Sequence, residues 1–259
     1  MPEKYKVAIV NYLNTKPFIE GIRSHPICDL IELIECSPAK CASLYLEHEV
    51  DISLVPVGAL IGQPFERISD YGIASDGPVS SVCLFSQVPL EGIKTIYLDY
   101  QSRTSVMLVR LLSQEYWHIR PNFVQASAGY EQNLSGAEAG LIIGDRALKV
   151  KHKYPYVYDL GEAWQSMTGL PFVYAVWLAR EETDLDFLKA FNEALSSGVE
   201  SIPTQVSQWN GPEGCDLVNY FAQNIRYKLD PSYDEGLKTF LRLIEEKVLK
   251  GAPAYTEAL

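Results

Sequence analysis

Two short stretches hold the residues best suited to chemistry: Asp76-Gly77-Pro78-Val79-Ser80-Ser81-Val82 and Ser102-Arg103-Thr104-Ser105. Each follows an apolar run that reads as a strand, and each sets hydroxyls and backbone N–H groups at a strand's end. In the second, Ser102 takes the N-cap position of a helix and Ser105 the third helical position. Free N–H groups and hydroxyls then converge on one helix end, where the helix dipole favours negative charge. Arg103 could add a bidentate contact to a carboxylate. Such a helix end suits a small anion. A plainly capped helix with a solvated arginine fits the spacing equally well. In the first stretch a turn carries two hydroxyls. A serine nucleophile there would need a base, but no histidine is placed to serve and no G-x-S-x-G elbow exists. A turn that only redirects the chain is the simpler alternative.

Asn11 and Asn14 flank Tyr12-Leu13 just past the first apolar run, where a side-chain amide can donate to a ligand oxygen or cap a helix. Of the histidines, only His25, with Cys28, Cys36 and Cys41, resembles a metal set. Cys41 falls on a helix's core face, which argues against zinc. No G-x-G-x-x-G and no G-x-x-x-x-G-K-[ST] exists, so nucleotide cofactors have no support.

The elements that must position these groups alternate. Strands are expected at 6–10, 30–35, 51–56, 94–99, 139–143, 156–158 and 171–179, with extended chain at 65–74 and 79–85. Helices are expected from Asn14 or Thr15, from Ser37-Pro38, and over 103–116, where Met107, Leu108, Leu111 and Leu112 form the inner face. After Glu181 the pattern turns helical, at 184–199, 203–209, 214–224 and 232–250. Strand–helix alternation points to parallel α/β sheets. Two such series without a flexible linker suggest two lobes joined by strands near 80–92 and 170–180, with a ligand cleft between them.

The chain has 259 residues, 47% of them hydrophobic and 21% charged, enough to bury a sizeable core. Its net charge of −11 argues against non-specific nucleic-acid binding. An anionic ligand must therefore be held by local charge and dipoles. The near-apolar run from Gly169 to Ala179 is too short to span a membrane. Residues 1–7 carry no apolar signal core, and the five cysteines include no CxxC. Reduced thiols in a cytoplasmic protein are expected.

Five segments, in order, resemble one family: Tyr12-Leu13-Asn14-Thr15-Lys16-Pro17, Asp51-Ile52-Ser53-Leu54-Val55-Pro56-Val57, Gly77-Pro78-Val79-Ser80-Ser81-Val82, Leu98-Asp99-Tyr100-Gln101-Ser102-Arg103-Thr104-Ser105 and Thr168-Gly169-Leu170-Pro171-Phe172-Val173-Tyr174-Ala175-Val176-Trp177. They look like the motifs of the chorismate dehydratases of the futalosine route to menaquinone. The resemblance runs from residue 6 to about 180, and the helical tail carries little of it. It implies a two-lobed α/β fold of the type II periplasmic-binding-protein kind with a helical C-terminal tail. Residues 1–85 and 175–259 would form the first lobe and 86–174 the second. It also implies loss of water from chorismate to give 3-[(1-carboxyvinyl)oxy]benzoate, with no metal and no organic cofactor. Asn14 and Ser81 would stand at the reacting centre, with Ser80, Ser102, Arg103, Thr104, Ser105, Gly144, Asp145 and Thr168 around the substrate. No partner beyond that small molecule is implied, neither nucleic acid nor membrane, and the oligomeric state is not given. A non-catalytic carboxylate binder on the same lobes is one alternative. The naphthoate synthase of the same pathway is another, but it relies on a histidine base, and no histidine here falls in a motif.

Overall fold

The computed structural model describes residues 4–250, and the expectations for 1–3 and 251–259 lie outside the described residues. Two sheets carry the fold, and every strand named here belongs to one or the other.

In chain order the strands are β1 (Tyr5–Val10), β2 (Ile31–Cys36), β3 (Ile52–Pro56), β4 (Tyr71–Ser75), β5 (Val82–Ser86), β6 (Thr95–Leu98), β7 (Asn122–Gln125), β8 (Glu138–Ile143), β9 (Tyr156–Asp159), β10 (Phe172–Ala179) and β11 (Arg226–Lys228). The helices are α1 (Lys16–Ser24), α2 (Pro38–Leu46), α3 (Arg103–Glu115), α4 (Gly144–Val150), α5 (Leu160–Thr168), α6 (Leu185–Glu200), α7 (Ile202–Gln205), α8 (Leu217–Asn219) and α9 (Pro231–Leu243).

The first sheet has the order β11-β4-β10-β3-β1-β2, the second β7-β6-β8-β5-β9. Strands β1, β2 and β3 run parallel, as do β6, β7 and β8. The apolar runs of β1 and β3 follow from burial on both faces: β3 is buried at every position, as is β1 from Val7 to Val10. Strand β10 fits antiparallel between β3 and β4, which fixes Trp177 opposite Leu54 and Ala175 opposite Pro56.

The chain leaves the first sheet after β4 and returns with β10, so the changes of sheet fall at 76–81 and 169–171. The boundaries expected at 85 and 175 would cut through continuous ladders. Val82 already pairs with Ile143 in the second sheet, and Phe172 with Ser75 in the first. Several expected elements are shorter or different. The extended stretch at 65–74 is a strand only from Tyr71, and 214–224 is one helical turn followed by a wide turn. Helices α4 and α5 and the edge strands β7 and β11 were not expected. In the tail, α6 packs on α1 and β11 closes the edge of the first sheet beside β4.

Candidate active site

Parallel strands deliver their C-terminal ends to one place. Val10, Pro56 and Ile143, the last residues of β1, β3 and β8, all line a single cavity between the sheets. This is where ligands lodge in α/β folds, because the loops that follow the strands carry the variable chemistry. The cavity is a narrow slot of about 60 Å³.

Of the residues singled out in the sequence, Asn14, Ser81, Ser102, Thr104, Ser105 and Gly144 meet on its walls. Tyr12, Pro38 and Tyr174 complete the polar and ring-shaped parts of the lining. The other four do not line it. The Ser80 hydroxyl accepts from Lys151 Nζ at 3.3 Å and faces a second cavity, because the left-handed φ of +61° at Ser80 turns it away from Ser81. Thr168 ends α5, its hydroxyl donating to Trp164 O at 2.9 Å. Arg103 is half-buried on α3. The Asp145 carboxylate accepts the Leu13 N–H at 3.0 Å, and burial pushes its pKa up against that hydrogen bond.

The α3 end is built as the sequence indicates. Ser102 is the N-cap: its Oγ accepts from Ser105 N at 3.0 Å and donates to Ser105 Oγ at 2.9 Å. With Ser102 so engaged, the Ser105 proton is free to donate into the cavity. Thr104 Oγ accepts the Gly58 N–H at 2.9 Å, which fastens the helix to the turn after β3. A side chain at position 58 would strike Thr104 backbone at 2.6 Å, so glycine is needed there. Gly144 is constrained in the same way, with a φ of +62° and the Tyr12 ring 2.9 Å from where a Cβ would stand.

The 77–81 turn is held from afar. Asp159, which caps α5, accepts from Val79 N at 3.0 Å, Ser80 N at 2.7 Å, Gly161 N at 2.9 Å and Glu162 N at 3.2 Å. Asn224 Nδ2 donates to Pro78 O at 2.9 Å. The Tyr220 hydroxyl donates to Ser81 Oγ at 2.9 Å, and burial raises the Tyr220 pKa so that it stays a donor. On the opposite wall, the buried Tyr227 hydroxyl donates to Asn14 O at 2.7 Å. The Asn14 Oδ1 atom is buried and has no hydrogen-bond partner. An orphaned acceptor of that kind costs about 1–3 kcal/mol unless a ligand supplies a donor.

Sequence reasoning missed Asp159, Tyr220, Asn224 and Tyr227. For Asp159 a signal exists: an Asp three residues before Glu162, with Gly169 at φ +73° closing the helix. The three tail residues act across separations of 139, 146 and 213 residues, and nothing local marks them.

Beneath the site, Asp99 is buried. Arg146 Nη2 donates to its two oxygens at 2.8 and 2.7 Å, and the Tyr130 hydroxyl donates to Oδ2 at 3.1 Å. The pair holds Arg146 charged, and its Nη2 also donates to Gln101 Oε1 at 3.3 Å. The Tyr12 hydroxyl donates to that same Oε1 at 2.5 Å. His25, Cys28, Cys36 and Cys41 do not come together as one group: His25 Nδ1 accepts from Ile27 N, and Cys36 lies against Cys41. Among the described residues, no three His, Cys, Asp or Glu form a metal-ligating group, and no helix is long and apolar enough to cross a membrane.

The chain is similar in sequence to the chorismate dehydratase of Thermus thermophilus, with 29% identity over 91% of this chain and 93% of that protein. In structure it is similar to protein AF1704 of Archaeoglobus fulgidus, with a TM-score of 0.70 and 16% identity over 95% of this chain and 98% of that one. It also resembles the Candida albicans CA3427 gene product, described as having the generic periplasmic binding protein fold. That match has a TM-score of 0.61 and 14% identity over 95% of this chain and 91% of that one. The α/β two-sheet architecture is thus periplasmic-binding-protein-like, as the motifs led one to expect. At the level of family, the menaquinone-biosynthesis model matches residues 5–246, and the chain belongs to that family.

Proposed function

We propose that the chain dehydrates chorismate to 3-[(1-carboxyvinyl)oxy]benzoate, opening the futalosine route to menaquinone in the cytoplasm. The observation that carries this reading is the orphaned Asn14 Oδ1, buried in a cavity whose other walls present the Ser81 hydroxyl and the α3 N-terminus. That set offers one acceptor and several donors. Chorismate offers one hydroxyl and two carboxylates.

The reaction removes the ring C3 proton and the C4 hydroxyl as water and leaves an aromatic ring, so it is strongly downhill. Orientation and proton routing are what the protein must supply. The Asn14 oxygen accepts from the C4 hydroxyl. Ser81 Oγ accepts from Tyr220 and donates to Val79 O at a long 3.4 Å, and on binding it swings that proton to the enolpyruvyl carboxylate. That carboxylate takes the C3 proton itself, because none of the lining side chains is a carboxylate, histidine or lysine. It passes the proton to the departing C4 oxygen, which leaves as water as the C4–O bond breaks. The Ser105 hydroxyl and the unsatisfied N–H groups of the first turn of α3 hold the ring carboxylate. The slot is closed by hydrogen bonds between the sheets, among them Gly58 N to Thr104 Oγ1 and Leu13 N to Asp145 Oδ1. The two lobes part at the crossings to admit the ring and close to exclude water.

The test is incubation with chorismate followed by chromatography and mass spectrometry. The expected product is aromatic and lighter than chorismate by one water. Chorismate recovered intact, together with a chorismate-dependent rise in Tm, would replace this reading with a non-catalytic binder.

A further inference from the structure

Cys36 and Cys41 bring their sulfurs within 3.1 Å, closer than two unbonded sulfurs ordinarily pack. All five cysteines of the chain are free thiols. Cys36 ends β2 immediately before Ser37, the N-cap of α2, and Cys41 lies one turn into that helix. Both residues are fixed by backbone contacts. Asn11 N donates to Cys36 O at 3.0 Å, and Ser53 Oγ donates to Cys41 O at 3.1 Å. The two thiols therefore do not meet by chance rotation of a loose loop.

We infer that Cys36 and Cys41 form a reversible dithiol–disulfide site, with Cys36 the reacting thiol and Cys41 the resolving one. The division of roles follows from access and charge. Cys36 is half-buried, whereas Cys41 is fully enclosed. The hydrogen bond from Cys41 favours the Cys36 thiolate, burial opposes it, and the Lys40 charge favours it further, so its pKa falls. The same hydrogen bond and burial hold Cys41 protonated. A thiolate just outside a helix N-terminus is the reactive kind.

With a peroxide as oxidant, the Cys36 thiolate attacks one peroxide oxygen, the O–O bond breaks, and hydroxide leaves a sulfenic acid on Cys36. The Cys41 sulfur then attacks Cys36 Sγ, the S–O bond breaks, and water departs with the Cys41 proton. In sum, two thiols and one hydrogen peroxide give one disulfide and two waters. The bond would tie the end of β2 to α2 across Pro38, a residue of the cavity wall. Reduction by a dithiol reverses it.

The experiment uses the full folded chain treated with excess hydrogen peroxide, then alkylated under denaturing conditions and weighed intact. The expected result is three alkylated cysteines instead of five and the loss of two hydrogens. A cross-linked peptide containing Cys36 and Cys41 should appear, with all five thiols restored by dithiothreitol. In the Cys41→Ala variant, dimedone should label Cys36, a label absent from the parent chain. Five alkylated thiols after peroxide, over-oxidation of Cys36 with Cys41 still alkylatable, or a cross-link to Cys28 or Cys215 would each overturn the assignment. None of these outcomes depends on turnover of chorismate.

Discussion

The two serine-bearing walls of the cavity are built on opposite plans. The Ser102–Ser105 end of α3 is nearly self-sufficient, because its cap is made between residues three apart. The Ser81 turn has little local support beyond the Ser81 N–H and hydroxyl, which both donate to Val79 O. Its shape depends on Asp159, 79 residues from Ser80, and on Tyr220 and Asn224, 139 and 146 residues from the atoms they bind. The difference matches the work proposed for each wall. Holding a carboxylate needs only a helix end with its dipole. Aiming one hydroxyl at a reacting group needs its lone pairs and proton fixed, which a turn cannot do alone.

The comparison breaks first at the reacting centre. Ser81→Ala and Asn14→Ala should each lower kcat by roughly 10²–10³-fold, the range for removing a group that acts mainly in the transition state. KM for chorismate should move only a few-fold. Steady-state kinetics at saturating and limiting chorismate separate the two, and wild-type turnover in both variants would remove these residues from the mechanism. Next is Asp159, whose carboxylate gathers four N–H groups from two elements. Asp159→Ala should cost about 2–3 kcal/mol of unfolding free energy, read by chemical denaturation, because buried donors lose a charged acceptor.

How far each wall is legible in the sequence follows the same division. Ser102 as a cap, Ser37-Pro38 as a helix start and the burial of β1 and β3 can all be read from a few adjacent residues, since propensity and capping are local. The meeting of Asn14, Ser81 and Ser102 in one cavity is implied by family resemblance, not by spacing. The support of Ser81 was not legible at all. Tyr220, Asn224 and Tyr227 stand in the tail that carries little of that resemblance, and only the folded chain brings them to the 12–14 and 77–81 turns. The boundaries at 85 and 175 missed for a related reason. Apolar runs locate strands, but which sheet a strand joins is decided by its ladder partners.

Tyr220 sharpens the contrast because it does not line the cavity itself and its hydroxyl donates to Ser81 Oγ, which does. Tyr220→Phe keeps the buried ring and its edge-on packing against Phe221 and removes one hydroxyl. Released from that donor, the Ser81 hydroxyl can rotate away from the carboxylate. The expected loss in kcat is about tenfold, close to 1.4 kcal/mol, with KM and the denaturation midpoint little changed. A variant that lost stability and kept kcat would make Tyr220 a packing residue only.

The smallest effect belongs to the self-sufficient wall, and it separates capping from ligand holding. Ser102→Ala removes the cap and should cost about 1 kcal/mol of stability. It also frees Ser105 Oγ from its present partner, so KM should rise by less than tenfold while kcat holds. Ser102→Asp keeps a capping oxygen and places favourable charge at the helix N-terminus, so stability should be retained. The same charge stands where a carboxylate of the substrate is to be held, and KM should then rise further than in the alanine variant. If Ser102→Asp instead bound chorismate as well as the parent chain does, the α3 end would be a cap and nothing more. The anion would then have to be held by another part of the wall.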